Sequence, residues 1–95
     1  MAGKIKVIQK GRSGTIRYTE GWLKVNACEF YWEFGGGDTI AIVWFPAEDK
    51  WDAQYPWAKG RRKEIIEFVA DEVRRTQAPS STIKWEKDGF SLVKA

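Results

Sequence analysis

One segment in the second half of the chain brings aromatic rings and basic side chains together, and these residue types suit binding chemistry. Rings can stack on flat groups or on guanidinium groups, while arginine and lysine pair with anions. The six residues, here called the aromatic-basic corner, are Trp51, Tyr55, Trp57, Arg61, Arg62 and Lys63. The same residue types also suit a hydrophobic plug at one end of a sheet, with the arginines in internal ion pairs. The segment therefore predicts either a binding site or a plug.

Arg62 has the most specific predicted position in the aromatic-basic corner. A helix predicted from about Ala58 to Thr76 would place Arg62 in line with the apolar stripe between Ile66 and Val73. A guanidinium in that position must reach either water or an anion. The carboxylates just upstream belong to Glu48, Asp49 and Asp52. The alternative partner is a small anion or an anionic protein face.

Basic residues on the first two predicted strands and in the turn between them support a second hypothesis, the binding of single-stranded nucleic acid. They are Lys4, Lys6, Lys10, Arg12 and Arg17. Cations that contact phosphates, combined with rings that stack on bases, are typical of such proteins. The formal net charge of +3 is only mildly basic. We therefore expect first a small, soluble, non-catalytic binding module that uses the aromatic-basic corner at the helix N-terminus, with single-stranded nucleic-acid binding as the alternative.

The absence of histidine and the presence of a single cysteine restrict catalysis and metal binding. A Cys/His zinc site, a Cys–His nucleophile pair and an intrachain disulfide are all excluded. Cys28 falls on the apolar side of its strand, which predicts a core residue. Glu29, Glu33 and Asp38 would support acid–base catalysis only if burial separated their pKa values, and a solvated strand face is favoured instead. We expect no enzyme activity, no metal and no cofactor, with a carboxylate-based enzyme as the least favoured function.

The elements that must position these side chains predict one α+β domain over residues 1–95. One main helix can cover only one face of a sheet, so we expect two layers, with the helix packed across an antiparallel sheet in the order β-β-β-β-α-β-β. The predicted strands are Lys4–Gln9, Thr15–Thr19, Trp22–Phe34, Thr39–Phe45, Thr82–Lys87 and Phe90–Val93, with a turn at Asp88-Gly89. Residues 47–57 are predicted to be irregular.

Two strands carry patterns that affect the sheet faces. In Trp22–Phe34 the apolar parity changes, which predicts a bulge or break near Asn26-Ala27. In Thr39–Phe45 both parities are apolar, which is typical of a central strand. We expect Ala41, Val43 and Phe45 to face away from the helix, where a homodimer through this second face is one way to cover them.

The ends of the chain and its apolar runs bear on localisation. The first ten residues contain no long apolar run, and the longest apolar stretch, residues 40–46, is far too short to span a bilayer. We therefore expect a cytoplasmic protein without membrane contact. The predicted order of four strands and a helix over about the first 75 residues resembles small single-stranded nucleic-acid binders of the PUR-alpha and Whirly type, and no residue roles are carried over from them.

Overall fold

The protein is described by a computed structural model that covers residues 3–21 and 26–95. In these ranges, six strands form one sheet and two α-helices follow the fourth strand, with a short 3-10 turn at Pro56–Ala58 between them. The strands are β1 (Gly3–Lys10), β2 (Ser13–Glu20), β3 (Asn26–Phe34), β4 (Thr39–Trp44), β5 (Ser81–Glu86) and β6 (Gly89–Lys94). The helices are α1 (Glu48–Gln54) and α2 (Arg62–Gln77).

The sheet has the order β1-β2-β3-β4-β6-β5, and every neighbouring pair is antiparallel. Each of the first four strands pairs with the next one along the chain, and residues 11–12 and 35–38 connect β1 to β2 and β3 to β4. After the helices, the β5–β6 hairpin returns to the sheet and β6 pairs with β4. The predicted α+β fold, with one main helix and an antiparallel sheet, is confirmed.

The core lies between one face of the sheet and α2. Alternate residues of β2 and β3 point toward the helix, as the period of two in a strand requires. The buried sheet residues are Ile16, Tyr18, Cys28, Phe30, Trp32, Val43, Phe90 and Leu92. The helix contributes Ile65, Ile66, Val69, Ala70 and Val73 at helical spacing. Each large apolar side chain buried here stabilises the fold by about 1.5–3 kcal/mol.

The expectation that residues 47–57 are irregular is wrong for most of that segment, because Glu48–Gln54 forms helix α1. Glu48 and Asp49 occupy its first turn, where negative charge interacts favourably with the helix dipole. Only Trp51 of its seven residues is buried, so the sequence contains no apolar stripe from which this helix could be recognised.

Two predicted boundaries also shift. The main helix begins at Arg62 rather than near Ala58, because Gly60 adopts a positive φ of 75° that interrupts helical geometry.

The closing hairpin turns at residues 87–88, since Glu86 pairs with Gly89. Gly89 is therefore a strand residue, and an added Cβ there would clash with the carbonyl oxygen of Val43. Close approach of β4, and not the turn, requires this glycine.

The prediction for the faces of β4 is wrong. Val43 and Phe45 are buried on the helix side, where they belong to the core. Ala41 pairs with Leu92 on the same side, after a register shift between Thr39 and Ala41. Because both parities of this strand are apolar, its pattern alone does not indicate which set faces the helix.

Part of the predicted third strand, residues 22–25, lies outside the described residues. From Asn26 onward β3 keeps a regular register with β2, with Asn26 opposite Glu20 and Ala27 opposite Thr19. The bulge predicted near Asn26-Ala27 is therefore absent from the described part of β3. Within residues 3–21 and 26–95, neither helix is long and apolar enough to cross a membrane.

Candidate functional site

The aromatic residues of the aromatic-basic corner close the end of the sheet where β4 stops. Trp51 is completely buried and its indole N–H donates to the carbonyl of Ala58 at 3.0 Å. Tyr55 is also buried, and its hydroxyl donates to the carbonyl of Glu29 at 3.0 Å and lies 3.3 Å from the Glu29 amide. Trp57 donates its indole N–H to the carbonyl of Ala27 at 3.3 Å. Tyr55 and Trp57 thus satisfy backbone groups of β3 beyond the last residue of β4.

Arg61 is held by two carboxylates. Its guanidinium lies 2.5 Å from Glu20 and 2.7 Å from Glu64, and it sits over the ring of Trp57 at 5.9 Å. The hydrogen bonds that Arg61 donates to Glu64 and Glu20 raise the pKa of Arg61, and the bond that Glu20 accepts from it lowers the pKa of Glu20. Tyr18 donates its hydroxyl to Glu20, and burial raises the pKa of that phenol. Arg61 therefore already has internal anionic partners.

Arg62 points along the apolar stripe toward the sheet, but its contacts differ from those expected. Its Nε donates to the carbonyl of Pro46 at 3.0 Å, and its terminal nitrogen lies 3.4 Å from the carbonyl of Lys87 and 3.6 Å from the carboxylate of Asp88. The predicted carboxylates do not pair with it, and one of them, Asp52, accepts instead from the Gly60 amide at 2.9 Å. Arg62 connects the end of β4 to the β5–β6 turn.

The structure therefore brings the rings and the arginines of the aromatic-basic corner together, but uses them internally. Two rings are buried, Trp57 is partly buried and bonded to β3, and both arginines are partly buried and paired. Lys63 is exposed on the first turn of α2. This arrangement has the contacts of a plug, and Lys63 is the member whose charge reaches solvent.

A second aromatic pair lies on the opposite face of the sheet, which neither α1 nor α2 covers. Tyr31 on β3 is directly opposite Trp44 on β4, and the two rings stack with centroids 5.5 Å apart at an interplanar angle of 29°. Tyr31 is 50% exposed and Trp44 is 39% exposed. Thr15 lies opposite Tyr31 on β2, and Gly89 lies opposite Trp44 on β6. Small neighbours on both sides leave the rings accessible.

The sheet face that carries Tyr31 and Trp44 is here called the open face. Basic side chains lie on it beside the two rings. The open face includes the even-numbered residues of β1, because Ile8 pairs with Thr15 in the row that contains Tyr31. Its exposed cations on β1 and β2 are Lys4, Lys6, Lys10 and Arg17. Arg17 forms an exposed ion pair with Glu29 at 3.2 Å. Arg12 lies in the β1–β2 turn, with its guanidinium 5.9 Å from the ring of Phe34.

The remaining polar candidates lie on β3 and in the β3–β4 turn. Glu29 pairs with Arg17, and Glu33 accepts from the hydroxyl of Tyr31 at 3.0 Å. Asp38 is exposed in the β3–β4 turn. In the ranges that the structure covers, no three acidic or cysteine side chains are grouped closely enough to hold a metal ion.

Cys28 is buried in the core, as its position in the strand pattern predicts. Burial raises the pKa of its thiol to about 12. At neutral pH it is therefore a neutral, inert thiol.

Sequence reasoning missed the Tyr31–Trp44 pair. The two residues are 13 positions apart, and only the register of β3 against β4 shows that they are neighbours. The sequence contained one signal for this pair. Tyr31 alternates with the apolar residues of its strand, which predicts that its ring faces away from the core.

No protein-family model, no curated protein and no solved structure matches this chain. None of these comparisons supports the resemblance in element order to single-stranded nucleic-acid binders.

Proposed function

We propose that this protein is a non-catalytic module that binds single-stranded nucleic acid on the open face of its sheet. The observation that carries the proposal is the exposed, stacked pair of Tyr31 and Trp44 on a face that also carries the cations of β1 and β2. Aromatic platforms beside basic residues bind single strands with little dependence on sequence.

The rings would contribute most of the base contact. Large aromatic side chains left exposed in the middle of a sheet keep apolar area in water, which is unfavourable unless a ligand covers it. Stacking of one base on such a ring is worth about 1–3 kcal/mol. The row from Thr15 through Tyr31 and Trp44 to Gly89 has small residues at both ends, so a base can approach either ring.

The charges suggest how the strand would lie. Three exposed lysines and Arg17 are on β1 and β2, whereas the carboxylates of Glu29 and Glu33 are on β3. Phosphates would therefore lie over β1 and β2, with the bases directed toward β3 and β4. The exposed Arg17–Glu29 pair contributes at most about 1 kcal/mol, so Arg17 can exchange its carboxylate for a phosphate at small cost.

The aromatic-basic corner supports binding less well, because an anionic partner would have to displace groups that are already bonded. Arg61 would have to give up Glu20 and Glu64, and Arg62 would have to give up the carbonyl of Pro46. Base stacking on Trp51 would require the core to open, since that ring has no exposed surface.

The first test measures the binding of a fluorescein-labelled oligothymidine by anisotropy at low salt and during a salt titration. We expect the Trp44→Leu variant, which keeps an apolar side chain but loses the stacking face, to bind about fivefold to a hundredfold more weakly. The matched control is Trp85→Leu, because Trp85 is 50% exposed but lies on the helix side of the sheet. Its affinity should be unchanged.

A charge variant tests the basic side of the open face. Changing Lys4, Lys6 and Lys10 together to glutamine should weaken binding and reduce the slope of log affinity against log salt by about 2. The control variant removes the same charge from exposed lysines off the open face, namely Lys50, Lys59 and Lys63. Absence of binding at low salt, or equal losses in the two variants, would contradict the proposal.

A further inference from the structure

An apolar pocket lies on the helix side of the sheet, near the C-terminal end of α2. Its volume is about 110 Å³. The lining is mostly apolar and includes Val7, Trp32, Ile40, Val43, Val73 and Leu92. Val43 and Leu92 are fully buried core residues, so the pocket reaches the core itself.

The size and lining of this pocket select a class of ligand. Apolar cavities of about 150 Å³ remain dry and accept molecules the size of benzene. A pocket of 110 Å³ therefore suits a short hydrocarbon group and is too small for a nucleotide or a drug-sized molecule.

A positive charge that is not itself part of the lining lies beside one of the lining residues. Phe34 lines the pocket and is partly exposed, and the guanidinium of Arg12 lies 5.9 Å from the centre of its ring. The amide of Phe34 donates to the carbonyl of Arg12 at 2.8 Å, which holds the two residues side by side. Among the described residues, Arg12 has no carboxylate within ion-pair distance. Gln9 and Gln77 supply neutral polar groups to the lining.

We propose that this pocket binds small monocarboxylates with an apolar tail, with the tail in the pocket and the carboxylate on Arg12. The apolar lining matches the tail, and the guanidinium beside Phe34 matches the head group. This site lies on the other side of the sheet from the open face, so it does not depend on the proposed nucleic-acid binding.

The test is a titration of the protein with hexanoate, followed through the methyl resonances of its valine, leucine and isoleucine residues. We expect hexanoate to shift the methyl signals of Val73 and Leu92. Acetate, which has the head group without the tail, should leave them unchanged. Hexanol, which has the tail without the charge, should bind more weakly than hexanoate.

Two kinds of variant separate the tail from the head group. Ala41→Ile adds carbon atoms to a residue that lines the pocket and should abolish the shifts. Arg12→Gln should weaken hexanoate binding by about fivefold, with no effect on hexanol, and Arg12→Lys should restore most of the loss.

Several results would overturn the proposal. Absence of methyl shifts with hexanoate would show that the pocket is only a packing defect, and equal affinity for hexanol and hexanoate would remove the role of Arg12. If Ala41→Ile does not fold, nuclear Overhauser effects between hexanoate and the Val73 and Leu92 methyl groups of the unmodified protein decide the location. Their absence, despite binding, would place hexanoate elsewhere.

Discussion

Glu20 is the residue that joins the polar contacts at the edge of the core, because its carboxylate accepts hydrogen bonds from two other side chains. It accepts from the guanidinium of Arg61 and from the hydroxyl of Tyr18, which is itself a buried core residue. Hydrogen bonds to charged groups contribute more to stability than neutral ones, and removing one partner leaves the other without compensation. Glu20 therefore connects β2 to the start of α2 through Arg61.

Glu20→Gln should lower the free energy of unfolding by about 1–3 kcal/mol at neutral pH. The pKa of Glu20 is lowered in the folded protein, chiefly by Arg61, so the folded state binds this proton less readily than the unfolded state does. Its contribution is complete above the unfolded value of about 4.3 and is lost as the pH falls through the folded value. Urea unfolding at neutral pH and in acid measures this effect. Between the two pH values, the free energy of unfolding should fall less in the variant than in the unmodified protein.

Glu64→Gln is the matched control for this prediction, because Glu64 bonds the same arginine from an exposed position on α2. An exposed pair of this kind contributes little to stability, because water screens the two charges, so Glu64→Gln should destabilise the protein less than Glu20→Gln. Equal stability of the two variants would show that the contribution of the pairing with Arg61 does not depend on the burial of Glu20.

At the residue scale, the sequence predicted the direction in which a side chain points better than it predicted the groups that the side chain contacts. The apolar stripe of α2 correctly predicted that Arg62 points toward the sheet, because helical spacing determines the direction of a side chain. It could not predict the carbonyls of Pro46 and Lys87, since these depend on where β4 and the β5–β6 turn end in space. The same limit applies to Tyr31 and Trp44, which only the strand register brings together.

At the scale of the elements, some positions require glycine and others do not. At Gly89 a Cβ would clash with the backbone of β4, whereas at Gly36 nothing lies within 4 Å and the φ angle is ordinary. Gly89→Ala should therefore destabilise the protein by more than about 2 kcal/mol, because the hairpin must move away from β4. Gly36→Ala should be neutral or stabilise by up to about 1 kcal/mol, since alanine restricts the unfolded chain.

Thermal unfolding of the two glycine variants checks this prediction. A small effect of Gly89→Ala would mean that the β4–β6 contact adjusts freely and that the glycine is not required there.

Individual elements were predictable where one face is apolar and the other polar. The β1–β2 pair, the helical stripe of α2 and the final hairpin all show this contrast, and all are present in the structure. α1 was missed because one buried tryptophan gives no periodicity. The orientation of β4 was predicted wrongly because both of its faces are apolar, and only the packing of Val43 and Phe45 against the core decides between them.

At the scale of the whole molecule, Cys28 reports on cooperative opening. Its thiol is buried under the helix layer, and burial raises its pKa to about 12, whereas an unfolded cysteine has a pKa of about 8.5. Alkylation by iodoacetamide at mildly alkaline pH should therefore be very slow in the folded protein and fast in urea.

The alkylation rate should also rise in the Glu20→Gln variant, because a less stable fold opens more often. Mass spectrometry of the alkylated protein over time measures this rate. Rapid alkylation of the native protein would show that the region around Cys28 opens locally, without unfolding of the sheet.

The number of elements and their order along the chain predicted the fold class. They did not predict the order of the strands within the sheet. Four strands in sequence, one helix and a hairpin are compatible with several sheets. The observed sheet places β6 beside β4, so residues about 50 positions apart pair directly. Such a long-range pairing leaves no local signal in the sequence.

The hydrogen bonds from Tyr55 and Trp57 to the backbone of β3 have a consequence for self-association. Where β4 ends, β3 would otherwise present a gap with unpaired amide and carbonyl groups, and such gaps recruit strands from other molecules. The phenol bonds both backbone groups of Glu29, and the indole bonds the carbonyl of Ala27. Two side chains thus bond three backbone groups that a further strand would otherwise pair, and they leave less of β3 open to a strand from another molecule.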